Sequence, residues 1–273
     1  MNRSRRDVLL AFGGVISYAR FAGVYAQDFA SYTDADREAL LLGGTVVSVK
    51  DIGEGVTKPI RADLSWKGVM HSAQIQRVDR PLPDFFGHDG TVLPARDAWR
   101  FNVAAYRLDR LLQLNMVPVS VSRSYKGSPG AFTWWADDVK GEETQRVREQ
   151  WTAPDSERFE QQRAVGRVFD ELIMNIDRNL GNLLITNSWG VVLIDHTRSF
   201  TPYHNIRNKE NLTRCSRALL ARMSALTAGA IAKSVGTSLT RAEITALLAR
   251  RDRIVAFFNE EAKAKGEKNV LFG

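Results

Sequence analysis

The chain has 273 residues, 44 % of them hydrophobic, which is enough to bury a substantial core in a single globular unit. Its formal charge of +7 is spread along the chain without a lysine-rich run or an aromatic ladder, which argues against a nucleic-acid partner. Cys215 is the only thiol and His71, His88, His196 and His204 show no ligand spacing, so an internal disulfide is excluded and zinc chemistry is disfavoured.

The first segment, Ser4-Arg5-Arg6-Asp7-Val8-Leu9-Leu10, reads as a twin-arginine export signal over residues 1–26, with cleavage after Val24-Tyr25-Ala26. Its apolar run, Val8 to Ala19, is too short to span a bilayer. The expectation is a periplasmic or secreted protein; the alternative is an amphipathic first helix of a cytoplasmic one. Thr45 to Lys50 is a β-branched strand, followed by the glycine loop Asp51 to Arg61, in which Gly53 and Gly55 free the backbone to lie over phosphates. Met70 to Gln76 reads as the third strand, and Asp97 to Asn115 as a helix with Val103, Leu108, Leu111 and Leu112 on its apolar side. Met116 to Val121 and Gly130 to Trp135 read as two further strands, the second leading into a polar crossing at Ala136-Asp137-Asp138. Trp134 and Trp135 are candidates to line a pocket there, although adjacent strand residues face opposite ways. Lys140 to Arg163 is charged and is expected to be a solvated connection.

The next stretch carries the chemistry. Val165, Val168, Phe169, Leu172, Ile173 and Ile176 form the stripe of a packed helix that should stop near Asp177. Leu183 to Ile185 and Val191 to Ile194 flank Asn187-Ser188-Trp189-Gly190 and read as a hairpin. A hairpin returns its end to its beginning, so Asn182 and Asp195 should lie side by side with Asp177 facing them. Phosphoryl transfer needs that set: Asp177 to accept or orient an acceptor hydroxyl, and Asn182 with Asp195 to ligate magnesium or manganese. Beyond Phe200 the pattern is helical, with Thr240 or Ser238 capping the last helix and Arg250-Arg251-Asp252-Arg253 expected on its solvated face.

Asp177-x-x-x-x-Asn182, with Asp195 thirteen residues further on, resembles the catalytic loop and metal-binding aspartate of the protein-kinase-like superfamily. The wording NIDRNLGNLL followed by LIDHTRSF is closer to the atypical branch that holds the phosphatidylinositol kinases, HipA and the secretory-pathway casein kinases. There the loop reads D-R-H, and Asp177-Arg178-Asn179 departs at its third place; Asp195 is followed by His196-Thr197 where ordinary kinases have Phe-Gly. The resemblance implies an α+β fold of two lobes. An N-lobe over 27–136 would carry a small antiparallel sheet plus helix, and a mainly helical C-lobe would cover 137–273. It also implies a nucleotide, ATP or another, held by Gly53, Gly55 and Lys58 with Gln76 and Asn102, and a protein, lipid or small-molecule acceptor.

Gln76 and Asn102 occupy the places of the lysine and glutamate that grip the α- and β-phosphates. Two amides can bond each other and cost less to bury than an ion pair, but the phosphates lose a charge, typically about 3–4 kcal/mol of barrier. Lys58 or Arg61 could compensate; Arg77 points to the other face of the strand, and Lys67 enters only if the register slips. Hence two expectations stand: a phosphotransferase, with nucleotidyl transfer as a variant on the same ligands, or an exported pseudokinase-type binding module. His196 is expected to orient Asp195.

Overall fold

The computed structural model describes residues 31–52 and 59–273. The export-signal segment and Gly53, Gly55 and Lys58 of the glycine loop lie outside the described residues. The N-terminal half is built on an antiparallel sheet. Helix α1 (Asp34–Gly43) precedes β1 (Thr45–Asp51), β2 (Ile60–Trp66) and β3 (Val69–Gln76). A double-hairpin insertion follows, with β4 (Asp79–Pro81) pairing β7 (Arg96–Ala98) and β5 (Phe85–Phe86) pairing β6 (Val92–Leu93). Then come α2 (Arg100–Leu111), β8 (Ser120–Tyr125) and β9 (Ser128–Trp134). The five long strands lie in the order β1-β2-β3-β9-β8. Alternation does what a one-sided sheet requires: Ala62 and Leu64 of β2 and Ala73 and Ile75 of β3 are buried, while Arg61 and Asp63 on either side of Ala62 face the other way. Lys67 sits in the β2–β3 turn at φ 50° with its ammonium over Trp66, so the strand register leaves Gln76 in the third-strand place.

Two strand and helix limits differ from the sequence expectation, each for a local reason. Helix α2 starts at Arg100 because Asp97 and Ala98 are paired to β4. Residues 116–119 are not in a strand: the buried Asp109 carboxylate accepts the N–H groups of Asn115, Met116 and Val117, so the chain caps α2 before β8 begins at Ser120. Burial raises the Asp109 carboxyl above its ordinary pKa, opposed by Arg110 and those amides.

Residues 140–163 are not a solvated connection. Val139–Glu142 forms β10, which pairs antiparallel with β11 (Leu183–Thr186), and β11 with β12 (Val191–Leu193). Helix α3 (Glu143–Glu149) follows, its Glu143 carboxylate buried and held bidentately by Arg146 at 2.6 and 2.7 Å. Helix α4 (Ser156–Ile173) is capped by the Asp155 carboxylate accepting from the Arg158 N–H. Its stripe of Val168, Phe169, Leu172 and Ile173 is fully buried. It ends at Ile173, short of Asp177, because Met174 turns left-handed (φ 53°) and Asn175 brackets the exit. Asn175 Nδ2 donates to Asp170, and its Oδ1 accepts the Asp177 N–H.

The segment 201–214 is not helical apart from a single turn at Lys209–Asn211. After it β13 (Cys215–Ser216) leads into α5 (Arg217–Ala225), α6 (Ala228–Val235) and α7 (Arg241–Lys265), and α8 (Glu267–Val270) returns the chain to β14 (Leu271–Phe272) beside β13. Thr240 caps α7 in a capping box with Glu243, as expected. Among the described residues no single helix is long and apolar enough to cross a membrane.

Arg250 is a correction. It is 0 % exposed rather than on a solvated face, and it donates to the carbonyls of Leu172, Thr201 and Tyr203. Burial pulls its pKa down to about 9, with Glu171 opposing, which leaves it cationic at neutral pH. Arg250→Met is expected to destabilise by about 3 kcal/mol or more, since three buried acceptors lose their donor at about 1–3 kcal/mol each. Urea denaturation measures this; a loss below about 1 kcal/mol would show that water re-satisfies the carbonyls.

Candidate functional site

The β10–β12 hairpin sheet and the long N-terminal sheet face each other across a cleft of about 760 Å³. Its walls include Trp134, Trp135 and Ala136 at the end of β9, Gly141 and Glu142 of β10, and Asp177, Asn182, Asp195 and Arg198. The hairpin therefore brings Asp177, Asn182 and Asp195 into one cavity. Pairing of Leu183 with Leu193 sets the register, and the Ile194 N–H donates to the Asn182 carbonyl at 3.1 Å, which sets Asn182 opposite Ile194, the residue before Asp195.

Each polar side chain is aimed by a bond behind it. Asn182 Nδ2 donates to the Asp177 carbonyl at 3.3 Å, and its Oδ1 has no hydrogen-bond partner among the described residues. Asp195 is left-handed (φ 51°), a conformation Asp tolerates better than most residues and one that marks a constrained site. Its Oδ1 accepts from Thr197 Oγ1 at 3.0 Å, the Thr197 N–H at 3.4 Å and Gln76 Nε2 at 3.4 Å. Its Oδ2 accepts from no described residue. The cleft thus offers one amide oxygen and one carboxylate oxygen, on two residues that both line it. No cluster of three or more His, Cys, Asp or Glu ligands occurs among the described residues. Such a pair suits a hard, oxygen-seeking cation of the magnesium kind, which keeps water and takes further ligands from a phosphate.

Gln76 and Asn102 meet, both buried, but neither lines the cleft. The His196 N–H donates to Asn102 Oδ1 at 2.8 Å, Asn102 Nδ2 donates to Gln76 Oε1, and Gln76 Nε2 donates to Asp195. This neutral relay ends on the back of Asp195, fixing one carboxylate oxygen and leaving the other. Gly130 permits the approach of β9, since a Cβ there would lie 2.7 Å from the Gln76 carbonyl.

The His196 ring does not orient Asp195. It is buried, and burial together with the neighbouring Arg178 charge holds its pKa well below the ordinary value. Arg178 Nη2 lies 3.0 Å from His196 Nε2; a guanidinium can only donate, so Nε2 is the unprotonated nitrogen. Arg178 also pairs bidentately with Asp170 (2.9 and 3.1 Å) and donates to the carbonyls of Asn182 (2.5 Å) and Ile194 (2.7 Å). It ties α4 to both ends of the hairpin.

At the β9 end, Trp134 stacks on His71 with centroids 3.5 Å apart and donates Nε1–H to Asp137 at 2.8 Å. Burial pushes the Asp137 carboxyl up, but hydrogen bonds from His71 and Trp134 outweigh it and hold the pKa below the ordinary value. Trp134 is mostly core, while Trp135 carries the Arg61 guanidinium 4.5 Å above its ring. Arg77 is turned away, over Tyr125.

No family model and no curated protein matches the sequence. Solved structures do match the fold. A hydra Fam20 solved with sugar has a TM-score of 0.63 at 13 % identity, covering 88 % of this chain and 93 % of that one. This chain has an atypical protein-kinase-like fold. A Golgi casein kinase scores 0.61 at 13 % identity over 87 % of this chain and 78 % of its own. The Golgi casein kinase with Mn/ADP bound scores 0.59 at 12 % identity over 88 % and 79 %.

Two residues of the site were missed in the sequence, Asp97 and Arg198. Arg198 Nε lies 3.3 Å from Asp97 Oδ2 and its Nη1 lies 3.1 Å from Asp177 Oδ2. Nothing in the spacing of residues 101 positions apart signals that contact.

Proposed function

We propose that this kinase-like chain is a phosphotransferase that uses a divalent-metal nucleotide to modify a hydroxyl acceptor. The observation that carries the reading is the meeting of Asp177, Asn182 and Asp195 in one cleft with free oxygens on the last two. The Mn/ADP found in the Golgi casein kinase of the same fold supports it. Asn182 Oδ1 and Asp195 Oδ2 would hold the cation. When bound, it neutralises the phosphates and the charge that develops on the leaving group. Glu142, Asp177 and Asp195 line the cleft against a single described cation, so a polyphosphate needs that neutralisation to enter. Asp177 takes the proton of the acceptor hydroxyl as its oxygen bonds the terminal phosphorus, and the bond from that phosphorus to the nucleoside diphosphate breaks. Trp135 and the backbone after β9 offer an apolar wall for a base. Export by the twin-arginine route is part of the proposal and rests on the Arg5-Arg6 segment alone.

The Gln76–Asn102 relay favours a second reading, a binding module that keeps the cleft without turnover. Thermal melting of the full chain with ATP and magnesium or manganese tests what the two share. A nucleotide at 100 times its dissociation constant adds about 2.7 kcal/mol, a rise of about 5–10 °C. Labelled transfer to protein, lipid and small-molecule acceptors then separates them. A flat melting temperature with every nucleotide and metal would remove both.

A further inference from the structure

We propose that Arg198 is the phosphate-binding cation of the cleft, a guanidinium anchored on Asp97 that supplies from the C-lobe the charge Gln76 cannot. The inference rests on the phosphotransferase reading in naming a nucleotide, but its core is a polyphosphate subsite. Three observations carry it. Arg198 is the one Lys or Arg among the described residues lining the cleft. Its side chain is a quarter exposed, and its Nη2 has no hydrogen-bond partner among the described residues, so a donor is left for a ligand. Its anchor is built: Asp97 is 0 % exposed, and its Oδ1 is a buried acceptor without a partner.

The anchor fixes where the charge can go. A buried carboxylate needs a counter-charge, and the other candidate, Arg80, reaches Asp97 Oδ2 only at 3.5 Å. Arg198 Nε is therefore tied to the β7 end of the N-lobe. Its backbone is tied on both sides as well, by the Ile176 N–H donating to the Arg198 carbonyl at 3.1 Å and the Ala98 N–H to the Thr197 carbonyl at 2.8 Å. What remains movable is the Nη end of the fork, which rests on Asp177. A terminal phosphate beside Asp195 offers that end two oxygens of higher charge than one carboxylate oxygen. The Nη1 bond passes from Asp177 to the phosphate, and the Asp177 carboxylate is released to face an acceptor hydroxyl. A planar fork can hold Asp97 and a phosphate at once; a lysine ammonium at this place cannot span both.

Calorimetric titration with manganese separates a phosphate contact from a structural one by the number of phosphates. The ligands are adenosine, ADP, ATP and inorganic tripolyphosphate, and the proteins the wild type, Arg198→Gln, Arg198→Lys and the double variant Asp97→Asn/Arg198→Gln. Arg198→Gln is expected to weaken ATP and tripolyphosphate by about 10- to 100-fold and adenosine less than about twofold, with Arg198→Lys intermediate. The double variant, which leaves no buried carboxylate unpaired, should bind as Arg198→Gln does and supplies the comparison if the single variant does not fold. ATP binding at wild-type strength in these variants overturns the inference and leaves the nucleotide reading standing. Equal loss of adenosine and ATP also overturns it, since that is the mark of a structural role. Arg198-dependent tripolyphosphate binding without any nucleotide binding overturns the nucleotide reading and sustains the inference.

Discussion

Asp177→Asn is expected to lower phosphoryl transfer by about 10²- to 10⁴-fold, the usual contribution of a positioned proton acceptor, while leaving nucleotide-induced stabilisation intact. The substitution keeps the size of the side chain and removes its basicity. In the proposed assignment the metal-facing oxygens are those of Asn182 and Asp195, so Asp177 makes no bond to the metal that its substitution would remove. Asp195→Asn should show the opposite pattern. It removes the carboxylate charge at the position held by Gln76 and Thr197, so the metal-dependent part of the thermal shift disappears along with transfer. Melting curves with and without metal, together with initial rates, give both readings from one set of proteins. Undiminished transfer in Asp177→Asn would sink the role given to it, and unchanged metal dependence in Asp195→Asn would sink the ligand assignment. Arg198→Gln should lower transfer through phosphate affinity while removing the ion pair that Arg198 makes with Asp177.

What could be read from the sequence is what repeats or is adjacent. The α4 stripe from Val168 to Ile173 has helical period, and the β11–β12 pair is separated by turn residues. Both therefore stand near where spacing puts them, and the hairpin brings Asn182 and Asp195 together. Gln76 and Asn102 were found because a strand and a helix place them in sequence order, and their hydrogen bond follows from what two amides can do. The contacts that were not legible join distant residues through long guanidinium side chains. Arg198 meets the buried Asp97 of β7, and Arg250 leaves a charged helix stretch to reach carbonyls near residues 172 and 201–203. A run such as Arg250-Arg251-Asp252-Arg253 carries no mark of which arginine turns inward. The β10 strand was hidden for a related reason. Val139–Glu142 is short and polar, and only its pairing with Leu184–Thr186, more than forty residues on, makes it a strand.

Arg178→Met should destabilise the protein by about 3–5 kcal/mol, the cost of breaking a buried pair, which corresponds to a melting temperature lower by about 6–20 °C. The side chain is 16 % exposed and its Asp170 partner 12 %, so little solvent screening softens the loss. Four acceptors lose their donors together: the Asp170 carboxylate, the carbonyls of Asn182 and Ile194, and the lone pair of the neutral His196 ring. Arg178→Lys should not restore stability, because a single ammonium cannot reach acceptors on three sides of a planar fork. Differential scanning calorimetry measures both variants, and a drop under about 2 °C for Arg178→Met would show that the pairing is replaceable by water. A double-mutant cycle with Asp170→Leu assigns the loss. Removing both charges should recover part of the cost of removing one, since the orphaned carboxylate goes while the Asn182 and Ile194 carbonyls stay unmet. Those two carbonyls belong to the residues that open and close the hairpin. The fraction not recovered in the cycle is therefore what Arg178 contributes through those two carbonyls and the His196 ring, the contacts that hold the ends of the hairpin in register. A variant that loses only this fraction should bind nucleotide more weakly in proportion to metal, not to base.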